Sequence, residues 1–122
     1  MKIRPNEEFA LWRKRENLSQ KEIAHSFSIS QGYVSHMEQG LRNVSKEIKA
    51  EMPKIMKVSE GDEFFLRMRR LGINMNMGVK MFKVNHNKLL KYIRDEQPIP
   101  KSIWEILEAD EAKFAAFKET QM

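Results

Sequence analysis

Gln31, Ser35 and Gln39 recur at i, i+4 and i+8, with Gly32 and His36 beside them, so on a helix all five share one face. Each is polar or small, and none is acidic. Such a face can read base edges in a DNA major groove: a glutamine amide can address a base bidentately, serine and imidazole can reach bases or phosphate, and Gly32 permits close approach. Ser30 and Tyr33, near the start of the same run, join this candidate DNA-binding set. A second stretch, further along the chain, offers His86, Asn87, Lys88, Lys91 and Arg94, flanked by Lys83 and Asn85. Asn87 is its best base reader, because the amide suits adenine; Lys91 and Arg94 can reach guanine or phosphate.

The elements that position these residues follow from caps and periodicity. Ser19 precedes Ile23, Ala24 and Phe27 at helical spacing, and Glu22 stands at the third position after it, which makes a capping box and starts a helix. Ser30 opens a second run with Tyr33, Val34 and Met37 on one face, and Gly40 can take the left-handed conformation that ends it, giving a helix over about 31–39. Ala24 is small where the two helices cross, and the Ser28–Ile29 connector leaves room only for a sharp turn. A helix-turn-helix results. Asn6 to about Glu16 reads as a preceding helix, and Ser45 begins a following one that Pro53 interrupts.

Residues from about Phe9 to Met56 resemble the lambda-repressor and Cro-like helix-turn-helix family, the xenobiotic response element type. The resemblance rests on Arg13, Leu18, Ser19-Gln20, Ala24, Ile29-Ser30, Val34 and Glu38-x-Gly40. It implies that Gln20 caps a phosphate contact, that Gln31, Gly32 and His36 face bases, and that Arg42, Asn43 and Lys46 meet the backbone or the minor groove. It also implies a partly buried structural ion pair between Arg13 and Glu38. Ser28 departs from the family's usual turn glycine, at a cost on the order of 1 kcal/mol if its φ is positive.

Laying the chain on itself with Phe9 on Phe64 brings Leu11 onto Leu66, Phe27 onto Phe82, Val34 onto Leu89 and Met37 onto Tyr92 without a gap. The N-caps Ser19 and Ser30 become Asn74 and Asn85. Arg13 and Glu38 become Met68 and Ile93, so both partners of the implied pair are replaced together. Losing one would strand a buried charge, whereas replacing both is often neutral or stabilising. This predicts a second, degenerate copy of the unit, against the alternative of a generic helical extension. From Phe64 to Arg94 there are eight basic residues and no acidic one, while Asp95 to Met122 carries seven acidic residues against three basic. A polarised second half suits a phosphate-facing module. Met75 in place of Gln20, Lys83 at the turn, Asp95 in place of the terminal glycine, and the apolar Leu90 on the outward face depart from the first copy.

The expected fold is all-α: a lambda-repressor-like helical domain with two tandem helix-turn-helix units packed together. The first unit spans 1–58 and a linker 59–62 (Ser-Glu-Gly-Asp) follows it. The second unit spans 63–108, and a C-terminal helical extension covers 109–122, within a last helix starting near Pro100. Phe114 and Phe117 in that extension form either a cap over the core, the preferred reading, or a dimer surface. The chain has 122 residues and a net charge of +5, which favours an anionic partner. Without cysteine there is neither a disulfide nor a thiolate metal site. His25, His36 and His86 lack the i, i+4 carboxylate-flanked spacing of a helical zinc site. Gly72 and Gly78 read as breaks between helices, Glu7-Glu8, Asp95-Glu96 and Asp110-Glu111 are neighbours along the chain rather than an acid and base across a cleft, and the nine methionines read as core filler. No apolar run approaches a membrane span, and Met-Lys-Ile-Arg-Pro lacks a signal core, so a cytoplasmic location is expected.

These readings converge on a non-enzymatic regulator of double-stranded DNA with no cofactor and no metal. The rival is an antitoxin or adaptor whose second unit grips a protein. A nonspecific nucleoid protein is a weaker third reading. A homodimer or a protein partner held through the C-terminal helix is left open.

Overall fold

Six of the helices begin where a small polar side chain satisfies a first free backbone N–H group. The computed structural model describes residues 1–121, with side chains described through Thr120. Among them are eight α-helices and no strand: α1 (Pro5–Glu16), α2 (Gln20–Ser26), α3 (Gln31–Glu38), α4 (Lys46–Glu51), α5 (Glu60–Arg70), α6 (Met75–Phe82), α7 (His86–Ile93) and α8 (Lys101–Gln121). Ser19 Oγ accepts from Glu22 N at 3.0 Å, Ser30 Oγ from Tyr33 N at 3.0 Å, Ser59 Oγ from Asp62 N at 3.0 Å, Asn74 Oδ1 from Met77 N at 2.9 Å and Asn85 Oδ1 from Lys88 N at 2.8 Å. Each such cap contributes about 1 kcal/mol. Ser45 caps α4, which stops at Glu51; Met52 is extended, as the residue before Pro53 prefers.

The chain divides into unit 1, Met1–Lys57, and unit 2, from Val58 onward. In unit 1, Phe9 from α1, Ile23 and Ala24 from α2, Val34 and Met37 from α3 and Ile48 from α4 form the core. In unit 2, Phe64 and Met68, Phe82, Leu89 with Tyr92 and Ile93, and Ile103 with Leu107 do so from α5 to α8. Backbone turns recur in the register that sets Phe9 on Phe64. Positive φ falls at Asn17 (54°) and Gly72 (73°), at Ser28 (53°) and Lys83 (54°), and at Gly40 (78°) and Asp95 (62°). The bond from Leu18 N to Arg13 O is matched by Ile73 N to Met68 O, and that from Leu41 N to His36 O by Glu96 N to Lys91 O.

Glu38, only 3% exposed, joins three helices of unit 1. Its carboxylate accepts from Arg13 Nε on α1 and from Gln20 Nε2 on α2, the latter at 3.2 Å. Arg13 Nη1 also donates to Leu18 O at 2.6 Å, and Asn6 Nδ2 donates to the Glu38 backbone carbonyl at 3.0 Å. In unit 2 the corresponding residues are Met68, Met75 and Ile93. Met68 and Ile93 are buried in the core and Met75 packs against it. In that register all three positions of the polar cluster fall on apolar side chains of unit 2, not only the two that the charge argument requires.

A second exchange holds α5 to the end of α7. Where unit 1 has Asn6 and Gly40, unit 2 has Gly61 and Asp95. Asp95 accepts from Gly61 N at 2.8 Å and from Ser59 Oγ at 2.5 Å, so here the polar side chain stands on the residue that ends α7 and not on α5. A Cβ on Gly61 would lie 2.5 Å from Ile93 O and 2.6 Å from Tyr92 O, which is far inside contact distance.

Three expectations are corrected. Residues 59–62 are not a linker but the cap and first turn of α5: Asp62 Oδ2 accepts from Ser59 N at 3.1 Å, completing a capping box, and Gly61 is there for close helix packing. Gly78 is not a break between helices. It lies buried inside α6, where a Cβ would come 2.9 Å from Leu89 Cδ2. Phe114 and Phe117 do not cap the core; they are 40% and 60% exposed, and the buried part of α8 stops at Leu107. Met122 of the expected extension lies outside the described residues.

Arg13→Ala should destabilise unit 1 by about 3–5 kcal/mol, because it leaves the Glu38 carboxylate buried without its cation. Installing the apolar counterparts together, as Arg13→Met, Gln20→Met and Glu38→Ile, should recover most of that loss in urea unfolding. Gly61→Ala should cost about 1–3 kcal/mol by thermal unfolding, since helix backbones must separate to admit the methyl group.

Candidate nucleic-acid interface

In unit 1 the short turn after α2 sets α3 across it, and the Glu38 cluster fixes the far end of α3. The apolar stripe Val34 and Met37 is buried, which turns the opposite stripe outward. Ser30, Gln31, Gly32, His36, Gln39, Arg42, Asn43 and Lys46 are exposed; Tyr33 and Ser35 are half-buried. Ser35 Oγ accepts from Gln39 Nε2 at 2.7 Å, so these two side chains brace each other. The Arg42 guanidinium sits 5.4 Å from the Tyr33 ring centroid, a cation–π contact that holds it beside the start of α3. A Cβ on Gly32 would meet only Ser30 Oγ, at 3.9 Å, so nothing within the unit requires glycine at that place. Gln20 is placed differently from the expectation: it is half-buried and its amide donates to Glu38.

In unit 2, α7 buries Leu89, Tyr92 and Ile93 and leaves Asn85, His86, Asn87, Lys88, Lys91 and Arg94 exposed. Lys83, at the positive-φ turn, is exposed beside them. Leu90 is half-buried, which accounts for an apolar residue on that flank. The basic run is less uniform in space than along the chain. Arg67 is bonded to Glu111 through two nitrogens, one contact being 2.9 Å, and lies 3.8 Å from Glu63. The hydrogen bond to Glu111 raises its pKa above the ordinary guanidinium value, against an opposing effect of burial. Arg67 is thus neutralised by acids that sequence order places elsewhere. Lys80, Lys83, Lys88 and Lys91 lie on and beside α6 and α7, all four of them exposed.

Sequence reading missed the role of Asp95, taken as a lost helix-ending glycine, and the bond from Gln20 to Glu38. The first was readable only from the paired appearance of Gly61 where unit 1 has Asn6. The second carries no local sequence signal.

Residues 10–62 match the family described as HTH_3: Helix-turn-helix. Unit 1 carries a helix-turn-helix domain. The match covers α2 and α3 with their turn, the Glu38 cluster and α4, and reaches the first turn of α5. The family is one of DNA-binding domains of transcriptional regulators and not of enzymes. No curated protein and no solved structure gives a significant match. Among the described residues no helix is long and apolar enough to cross a membrane, and no three His, Cys, Asp or Glu side chains converge as metal ligands.

The Gln31 and His36 side chains form no hydrogen bond or ion pair within the described residues of the helix-turn-helix domain. Gln31→Ala and His36→Ala should therefore leave the unfolding free energy within about 0.5 kcal/mol of the parent, measured by urea denaturation. A larger loss for either would give that side chain a structural role.

Proposed function

We propose that the chain is a sequence-specific regulator of double-stranded DNA that reads its site with two helices, α3 and α7. In this reading unit 2 is a degenerate second copy of the helix-turn-helix unit. The observation that carries it is the shared register: the N-caps, the starts of α2, α3 and α4, and three positive-φ positions all find counterparts in unit 2. Chance similarity of amphipathic stretches would match apolar positions, but it gives no reason for left-handed residues to coincide at three turns.

On the duplex, Gln31, Gly32 and His36 face bases, with Ser35 and Gln39 beside them. Ser30, Tyr33, Arg42, Asn43 and Lys46 meet the backbone, and Gln20 steadies α3 through Glu38. In unit 2, Asn87 reads adenine, while Lys83, Asn85, His86, Lys88, Lys91 and Arg94 supply phosphate and guanine contacts. The two covalently joined helices enter successive major grooves about 34 Å apart, so one chain imitates a dimer of single units. Occupying a promoter in this way represses it, in a bacterium, its phage or a mobile element.

The rival reading, a second unit turned toward a protein partner, loses two of its supports. Leu90 is half-buried and Asp95 has a structural task. Its third support, the exposed Phe114 and Phe117, stands.

Selecting bound duplexes from a random library should yield two half-sites about one helical turn apart. A single short half-site would remove unit 2 from base reading. Lys88→Glu combined with Lys91→Glu should lower affinity for the selected site by at least about 100-fold at moderate salt and flatten the salt dependence, because two phosphate-facing charges are reversed. Unchanged affinity would overturn the two-helix mechanism. His36→Ala should lose about 1–3 kcal/mol of discrimination at one base pair, in competition binding against single-base variants of the site.

A further inference from the structure

In the register that sets Phe9 on Phe64, the two helix pairs differ in charge position by position. His25, Ser28, Tyr33, His36 and Gln39 of unit 1 fall on Lys80, Lys83, Lys88, Lys91 and Arg94 of unit 2. From Ser19 to Asn43 two basic residues balance two acidic ones, whereas from Asn74 to Pro98 there are five basic residues and two acidic ones. Both of those acids, Asp95 and Glu96, come after the last of the five. The Asp95 carboxylate is taken by Gly61 N and Ser59 Oγ, and Lys80, Lys83, Lys88 and Lys91 form no ion pair among the described residues.

Beyond the end of the reading helix the contrast reverses. The loop after α3 holds Arg42 over the Tyr33 ring, but the counterpart of Arg42 is Gln97, which follows Asp95 and Glu96. Lys46 is matched by Lys101. Apart from Lys21, the remaining cations of unit 1 lie on α1, on α4 and on the segments beside them. Unit 1 thus has cations for the backbone past the end of α3, and the outward stripe of that helix carries no lysine, arginine or acid. Unit 2 has them on α7 itself and on the turn before it.

The two faces suit different parts of a duplex. A glutamine amide donates and accepts in fixed directions, which distinguishes one base edge from another, and Ser35 Oγ holds the Gln39 amide at 2.7 Å. A lysine ammonium is a point charge on a flexible stem, well suited to phosphate and poor in sequence information. Leu90, in the place of Ser35, has no polar atom with which to brace Arg94 in the same way. Asn87 is the one amide of the outward stripe of α7 open to a base, because the Asn85 side chain caps that helix by accepting from Lys88 N at 2.8 Å.

We propose that the two helices divide the recognition of DNA: α3 selects sequence, while α7 chiefly holds phosphate and fixes the base that faces Asn87. The bound site is then non-palindromic, with one sharply specified half and one tolerant half, since a palindrome mirrors two equal reading surfaces. This inference rests on the two-helix reading proposed above.

The test combines random-library selection by the full chain, hydroxyl-radical footprinting on the enriched duplex, and titration from about 50 to about 200 mM salt. The footprint should cover two successive turns, and the motif should be sharp in one half and loose in the other. Lys88→Gln with Lys91→Gln should enrich the same motif, weaken all duplexes by a similar factor, and reduce the slope of log affinity against log salt by about 0.9 for each lysine removed. Gln31→Ala should do the opposite, blurring the sharp half and leaving that slope unchanged. Two equally sharp halves, a lysine variant with altered base preference, or one with an unchanged slope would overturn the division of roles, while a two-turn footprint leaves the two-helix reading standing. A footprint of a single turn would overturn both.

Discussion

A carboxylate withdrawn from water needs donors arranged around it, and Glu38 obtains them from two other helices. Arg13 approaches from α1 and Gln20 from α2, while Asn6 holds the carbonyl of Glu38 itself. Because Glu38 is the last residue of α3, these bonds fix the end of the helix whose outer face carries Gln31, Gly32 and His36. Packing of Val34 and Met37 decides which stripe of α3 is buried. The polar cluster then restricts how the helix can rock about that stripe, because hydrogen bonds to a buried charge are directional and costly to break. The presentation of the outer face of α3 thus depends on a group that points away from it.

In the register that sets Phe9 on Phe64, the recurring turns of unit 2 are held by different chemistry. Met68, Met75 and Ile93, which fall on Arg13, Gln20 and Glu38 in that register, hold unit 2 by dispersion and removal of apolar surface from water. The Asn6 and Gly40 pair is exchanged for Gly61 and Asp95. That exchange reverses which partner contributes the side chain and which stays bare. A non-glycine residue at φ 62° is strained, and the two bonds accepted by the Asp95 carboxylate offset that strain. Each replacement is coherent only with its partner, which explains why departures that look like losses one at a time leave the architecture intact.

The acidic and basic halves of unit 2 serve different surfaces. Lysines cluster around α6 and α7, whereas the carboxylates of α8 meet Arg67 or line the helix end that carries the exposed phenylalanines. Segregation of this kind leaves the surface around α6 and α7 positive.

Much of this was legible in the chain itself. Caps made of Ser19, Ser30, Asn74 and Asn85 announce where helices start, because only a few side chains satisfy free N–H groups, and the burial of Val34 and Leu89 follows from a helical period that any reader can count. That Met68 and Ile93 are both apolar where the register sets them on Arg13 and Glu38 was visible as well, since one charge buried without its partner is costly. Tertiary structure alone decided the rest. It brought Gln20 to Glu38, Asp95 to Gly61 and Glu111 to Arg67 across separations of 18 to 44 residues, over which local pattern carries no information. It made Gly61 a packing residue rather than a linker residue, because what excludes a Cβ there is the carbonyl of Ile93 on another helix. It also left Phe114 and Phe117 outside the core, since helical periodicity specifies a face and only the placement of neighbouring helices determines whether anything covers it.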